Sequence, residues 1–441
     1  MNLTAASYAI FGVVVYYAFM FGLSARRRPP PAPPGQASPV KPIIVMVVPA
    51  RNEELVLDET LSTLRSLQYS GEYRVVVVND ASVDATSQIA HRWCRDDARF
   101  RVIDRGRAEG GRGKSAVLNH AYRAIVDWCA KGDGWLGASP SQEIVIGIVD
   151  ADGRLAPDCL EVVSTYFADP SVGTTQIGVR IGNATSGTLT RMQDMEFVGF
   201  SWLVQIARDH LGSSGLGGNG QFTRLSALQG LGAMPWSPDA LTEDLDLGLK
   251  LVEAGWHARF CHLTFVEQQG LDKWRPLLRQ RTRWIQGHYQ CWRHIPALLR
   301  SHNYKLTGRI DLVLYLLLVV TVMLVSVTMA ANLLAFGGLI HVTDGFFDFV
   351  PAGPIYRGLS LLMSVLPITA FMWTYQRHSQ HAYRWYEVPA YAVVFTLYTY
   401  VWTVTTARAW ARIALRRKSW VKTPRVGAAA SPLMPSPAGA D

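Results

Sequence analysis

The 441-residue sequence predicts an α/β protein: a parallel sheet flanked by helices, with transmembrane and interfacial helices added to it. Three observations carry that expectation. Short apolar runs at 43–48, 74–78, 101–103 and 144–149 alternate with helix-patterned stretches at 56–67, 85–95 and 115–130, the order of a parallel sheet with crossover helices. Polar clusters stand at the carboxyl ends of the first, second and fourth runs, where such sheets hold ligands. Residues 312–343 contain no Asp, Glu, Lys or Arg, a composition suited to lipid rather than water.

In chain order, residues 5–23 are apolar and long enough to span a bilayer core. Arg26, Arg27 and Arg28 follow that run instead of preceding it, which argues against a cleaved signal peptide and places the chain beyond them in the cytoplasm. Pro29, Pro30, Pro31, Pro33, Pro34, Pro39 and Pro42 make a stiff, extended linker. The four runs that follow are apolar throughout, as strands covered on both faces are. At 190–211, Met192, Met195, Gly199, Trp202, Leu203 and Ile206 keep helical spacing, with Arg191, Asp194, Glu196, Arg208 and Asp209 mostly opposite. That amphipathic helix either lies in the membrane interface or packs on the core. Three further spans are expected at 311–340, 358–375 and 388–407.

The organisation is then an N-terminal membrane helix and basic stop (1–28), a linker (29–42), a cytoplasmic domain with interfacial helices (43–304), a C-terminal membrane region (305–410), and a basic, then disordered tail (411–441). Three spans after a cytoplasmic domain put the tail outside. Its basic residues from Arg408 to Arg425 favour the inside, so both orientations stay open.

The balance of 43 Lys and Arg against 34 Asp and Glu gives a net charge of +9. The surplus flanks apolar segments, which fits anionic headgroups better than nucleic acid, and no nucleic-acid-binding motif accompanies it. Five cysteines, odd in number and without a CxxC pair, exclude a disulfide scaffold and a thiolate zinc site. They read as reduced cytosolic thiols and small buried hydrophobes.

Chemistry concentrates at the ends of the apolar runs. Asp150-Ala151-Asp152 places two carboxylates one residue apart, able to hold a hard divalent cation against a diphosphate; alone, such a pair also serves turns. Val48-Pro49-Ala50-Arg51-Asn52-Glu53-Glu54 follows the first run, and Asn79-Asp80-Ala81-Ser82-Val83-Asp84 the second. Gly110-Gly111-Arg112-Gly113-Lys114 opens a helix with a cationic phosphate contact, although its spacing is not that of a Walker A loop. Thr242-Glu243-Asp244 offers a general base at a helix start, or simply a capped helix. Gln280-Arg281-Thr282-Arg283-Trp284 supplies guanidinium groups for a leaving diphosphate and a flat indole for a sugar, or a juxtamembrane helix with snorkelling cations.

Taken together, PARNEE, NDASVD, GKSAVLN, DAD, TED and QRTRW resemble the membrane-embedded family 2 glycosyltransferases, which include cellulose, hyaluronan and chitin-oligosaccharide synthases. The resemblance covers roughly 43–304 and the flanking membrane segments. The stretch Gly217-Gly218-Asn219-Gly220-Gln221-Phe222-Thr223-Arg224 departs from the cellulose synthases and is similar to bacterial monoglucosyldiacylglycerol synthases, as is TEDLDL. The resemblance implies a GT-A nucleotide-binding fold in a multi-pass protein of the cell membrane. It implies that Pro49, Ala50, Arg51, Glu53 and Asp80 surround the nucleoside, that Lys114 approaches the diphosphate, and that Asp150 faces the nucleotide. Asp152 would bind Mg2+ or Mn2+. Asp244, with Glu243 beside it, would be the catalytic base, and Gln280, Arg283 and Trp284 would hold the diphosphate and the acceptor. The implied reaction is inverting transfer of a hexose, foremost glucose, from a UDP-sugar. The first expectation for the acceptor is a growing, exported polysaccharide; the alternative is diacylglycerol. A non-catalytic scaffold or transporter is the remote third reading, and it leaves the three acids Asp150, Asp152 and Asp244 without a purpose.

Overall fold

The computed structural model describes residues 15–30, 41–136, 140–301, 304–336 and 354–416. The start of the expected first span, most of the proline linker, residues 337–340 of the second span and the tail beyond 416 lie outside the described residues.

The strands are β1 (Ile43–Ala50), β2 (Tyr73–Asp80), β3 (Phe100–Arg105), β4 (Ile144–Ile148), β5 (Arg154–Leu155), β6 (Val172–Ile181), β7 (Gln221–Arg224) and β8 (His257–Gln268). The helices are α1 (Val15–Ser24), α2 (Leu57–Arg65), α3 (Thr86–Asp96), α4 (Lys114–Ala130), α5 (Cys159–Ser164), α6 (Thr188–Gly199), α7 (Ile206–Leu211), α8 (Leu225–Gln229), α9 (Glu243–Glu253), α10 (Trp274–Gln290), α11 (Ile295–Arg300), α12 (Leu306–Phe336), α13 (Pro354–His378) and α14 (Val388–Ala414).

One eight-stranded sheet runs β3-β2-β1-β4-β7-β6-β8-β5. Strands β3, β2, β1 and β4 are parallel, as their apolar runs predict. Alternate residues of β1 enter opposite cores: Ile44, Met46 and Val48 meet Leu57, Leu61 and Leu64 of α2, whereas Val45 and Val47 meet Val117, Leu118 and Ile125 of α4. Two-sided burial of a period-two chain leaves no polar face, hence the uninterrupted apolar sequence.

The expected parallel sheet is only part of the whole, which is mixed. Strand β7 runs antiparallel to both β4 and β6, and β5 runs antiparallel to β8. These strands carry Gln221, Thr223, Thr174, Thr175 and Gln176, which are buried and satisfied locally in part: Thr174 Oγ1 donates to the Phe222 carbonyl at 2.9 Å, and Gln176 Nε2 to the Asn219 carbonyl at 2.8 Å. Polar strands of this kind give no apolar run to read.

The expected amphipathic helix at 190–211 is one continuous rod, α6 and α7 joined by a π-helical stretch at Phe200–Gln205. Three of its charges are withdrawn from solvent. Asp194, Arg208 and Asp209 are buried, bonded respectively to Tyr375, Asp311 and Arg259. The rod is therefore a core element between the sheet and the apolar helices, rather than a helix with a wet face.

The expected spans fall on α12, α13 and α14, with α12 starting earlier than residue 311. Among the described residues, α14 is long and apolar enough to cross a membrane. The basic stop is tied to protein: Arg28 Nη1 donates to the Asp209 carbonyl at 3.0 Å and Arg27 lies over Trp202. All five cysteines are free thiols; Cys159, Cys261 and Cys291 are buried in apolar clusters.

Candidate active site

Because β1, β2 and β4 run the same way, their carboxyl ends share one edge, and the predicted polar clusters meet there. A cavity of about 1010 Å³ opens at that edge. Its wall includes Pro49, Ala50, Arg51, Glu53, Asp80, Lys114, Asp150, Glu243, Asp244, Gln280, Arg283 and Trp284. Every sequence-predicted site residue lies on this wall except Asp152. The Asp152 carboxylate, buried, stands behind it and accepts the Gln269 backbone N–H at 3.1 Å.

The glycine loop before α4 is pinned by Asp80. Its Oδ2 accepts the Gly111 N–H at 3.0 Å, its Oδ1 pairs with Arg105, and Arg51 reaches it at 3.5 Å. Gly111 has a φ of +76°, and a Cβ there would strike the Arg51 guanidinium at 2.1 Å. Only glycine allows that loop to fold over Arg51. Thus Asp80, expected beside the nucleoside, also shapes the cradle.

At the head of α4, Lys114 Nζ lies 2.5 Å from Asp150 Oδ1 and 3.7 Å from Glu243 Oε1. Burial alone would lower this ammonium, but Asp150, Glu243 and Asp244 outweigh it and hold its pKa above the usual lysine range. Lys114 therefore stays charged, a cation ringed by acids where a diphosphate would compete for it.

Asp244 stands at the first turn of α9. Thr242 takes the N-cap position with the acids in the first turn, as the cap reading has it, but its hydroxyl makes no capping bond. Burial, then repulsion from Glu243, pushes the Asp244 pKa up to about 7, against the Leu245 N–H, Lys114 and Arg283. That value suits a base working near neutral pH. Arg283 Nη1 is fixed by the Leu241 carbonyl at 2.6 Å. Two residues away, Asp246 has a different fate. His294, Ser237 and Arg293 bond it and hold its pKa far below the usual carboxylate range, so it is a structural acid.

Sequence reasoning named no role for Gly218 or Asn219. Gly218, at φ +79°, passes so close to the base that a Cβ would sit 2.9 Å from Asp244 Oδ2. Asn219 Oδ1 accepts the Asp150 N–H at 3.1 Å, while its Nδ2 donates to Gln268 at 3.1 Å. The GGNG wording was visible, but its positive-φ positions were not.

A divalent cation is compatible with this donor set. Asp150 gives a hard oxygen on the cavity wall, with the buried Asp152 carboxylate two residues further along the chain, and Mg2+ and Mn2+ commonly take one or two carboxylates and complete their shell with phosphate and water. Among the described residues no group of three His, Cys, Asp or Glu forms a ready-made cage, so the protein alone would not supply the whole shell.

Comparison with known proteins fits the geometry. Residues 41–287 match the family described as "Glycosyltransferase like family 2". The chain belongs to glycosyltransferase family 2. A β-monoglucosyldiacylglycerol synthase of Synechocystis is 29% identical over 430 residues, covering 94% of this chain and 82% of that protein. A poly-β-1,6-N-acetyl-D-glucosamine synthase of Staphylococcus aureus is 24% identical, covering 56% of this chain and 55% of that protein. Among solved structures, a Pyrobaculum calidifontis mannosyltransferase in complex with GDP-Man and Mn2+ superposes with a TM-score of 0.56 at 18% identity, over 90% of this chain and 98% of that one. The fold is accordingly GT-A-like: a parallel-rich sheet flanked by helices.

Proposed function

We propose that this family 2 enzyme transfers a glucosyl group from UDP-glucose, with inversion, to the hydroxyl of a membrane lipid of the diacylglycerol class. One observation carries the reading: the cavity that holds Lys114 and Asp244 continues without a break between apolar helices. Its far wall is built from Phe21, Phe200, Val319, Ile368, Phe371, Phe395 and Trp402, contributed by α1, the π-helical stretch, α12, α13 and α14. An acceptor with a polar hydroxyl and long apolar tails matches that two-sided wall. The near full-length similarity to glycolipid synthases supports the same acceptor. The polysaccharide acceptor expected first from the sequence gives way to the lipid, since the polysaccharide synthases align with little more than half of the chain.

In this reading Arg51, Glu53 and Asp80 border the nucleoside and Lys114 and Arg283 face the diphosphate. Asp150 and Asp152 would hold Mg2+ or Mn2+, which supplies positive charge to the departing diphosphate. Asp244 takes the proton from the acceptor hydroxyl, and that oxygen attacks the anomeric carbon opposite the leaving group. An α-linked donor then yields a β-linked product. The diphosphate leaves as an anion, so no second carboxylic acid is needed, unlike in glycoside hydrolysis. The apolar helices hold the protein in the cell membrane as a multi-pass protein, with the sheet on the cytoplasmic side.

The deciding experiment supplies labelled UDP-glucose to vesicles containing the protein and diacylglycerol. Label is expected in an organic-soluble monoglucosyl lipid cleaved by a β-glucosidase. Label in a high-mass, water-soluble product would overturn the lipid acceptor. Chelating divalent cations is expected to abolish incorporation, and adding back Mg2+ or Mn2+ to restore it. Lys114→Met is expected to weaken donor binding ~10-fold or more, the scale of a lost charge-assisted hydrogen bond, measured by titration calorimetry. Trp284→Ala is expected to raise the acceptor KM ~10-fold while affecting uncoupled UDP-glucose hydrolysis less, the scale of lost ring stacking. Equal effects on both would remove the stacking role.

A further inference from the structure

Arg281 lies in the QRTRW segment but has no part in the chemistry above. Its guanidinium is 1% exposed. Nη2 donates to Glu196 Oε2 at 2.8 Å, and the Tyr398 hydroxyl donates to the same oxygen at 2.5 Å. Nε and Nη1 have no hydrogen-bond partner. Aromatic rings surround the group instead: its Cζ is 4.1 Å from the Trp284 centroid, 5.2 Å from Trp402 and 5.4 Å from Phe197. Phe197 in turn meets Trp284 edge-on at 6.3 Å.

A buried ion pair seldom stabilises a fold more than apolar side chains of the same size would. Packing alone thus gives little reason for a cation here. A cation held over an indole in a dry site, however, attracts the ring face strongly and restrains its tilt. Arg281 and Trp284 are three residues apart on α10 and so share a face. Glu196 comes from α6, and Tyr398 and Trp402 come from α14.

We propose that Arg281 is a positioning residue: clamped by Glu196 and Tyr398, it holds the Trp284 indole at the angle that receives the acceptor, and thereby lets the apolar helix α14 set acceptor geometry. The proposal rests on the reading above in taking Trp284 as the acceptor's platform and in using an acceptor assay. Lysine keeps the charge at position 281 but offers no plane for the ring, so Arg281→Lys should raise the acceptor KM without changing the donor KM.

A double-mutant cycle of Tyr398→Phe and Trp284→Ala gives the decisive test, since Tyr398→Phe removes one hydroxyl and leaves the ion pair in place. The acceptor is whichever of diacylglycerol vesicles and a short β-glucan the unmodified protein glycosylates; use of the glucan alone overturns the lipid acceptor and leaves the cycle readable. Tyr398→Phe is expected to raise the acceptor KM ~5-fold in the parent and to have almost no effect once Trp284 is gone, the non-additivity of residues acting through one another. An equal rise in both backgrounds, no rise in the parent, or a matching rise in the donor KM would each overturn the proposal.

Discussion

Asp244→Asn is expected to abolish glycosyl transfer while leaving donor binding intact. The amide has almost the same shape and still accepts the Leu245 N–H that Asp244 Oδ1 takes at 2.8 Å. It cannot take a proton. Loss of a positioned general base lowers kcat by about 10²- to 10⁴-fold, whereas Lys114, Arg51 and Asp80, which border the donor in the proposed reading, are not replaced. Calorimetric titration with UDP-glucose should give nearly the parent affinity; an equal loss of binding would contradict the assigned role. The pH dependence follows from the raised pKa of about 7. A base works only when deprotonated, so the rate should be flat above that value and fall about tenfold per pH unit below it. In Asp244→Asn that acidic limb should disappear from the residual rate.

The second large effect is on stability. Arg208 is fully buried, and its Nε donates to Asp311 Oδ2 at 3.0 Å; Asp311 also accepts the Tyr16 hydroxyl, and the guanidinium lies 3.8 Å from the Tyr315 ring centroid. This pair joins α7 to the first turns of α12, with α1 against both. Asp311→Leu alone would strand a buried cation and is expected to cost about 3–5 kcal/mol. Arg208→Met combined with Asp311→Leu should recover most of that loss, because the two desolvation penalties vanish together. Thermal unfolding in lipid nanodiscs would show it: a clear fall in Tm for the single variant, and near-parent Tm for the double. Two falls that simply add would mean that the charges are not coupled.

The parallel half of the fold was legible in the sequence because burial on both faces forces apolar runs, as in Ile44 to Val48 and Val75 to Val78. The antiparallel half was not, because Thr174, Thr223 and Gln176 find their partners through bonds that only the assembled sheet creates. For the site, residue types at strand ends sufficed to nominate twelve of the cavity-lining side chains. What was hidden depends on three-dimensional proximity: the Asn219 grip on Asp150, the closeness of Gly218 to Asp244, and the turn that sends Asp152 behind the wall. The charges on the 190–211 rod left its two readings, interfacial or packed on the core, undivided for the same reason, since partners such as Asp311 and Arg259 lie 50 or more residues away.

The unbroken passage from the strand ends to Phe371 and Trp402 has a practical corollary. An alkyl-chain surfactant has the polar head and greasy tail that such a chamber admits. Micelles used to extract the protein are therefore competitors as well as solvents, and dilution out of them should raise the apparent affinity for the lipid without altering the affinity for the sugar nucleotide.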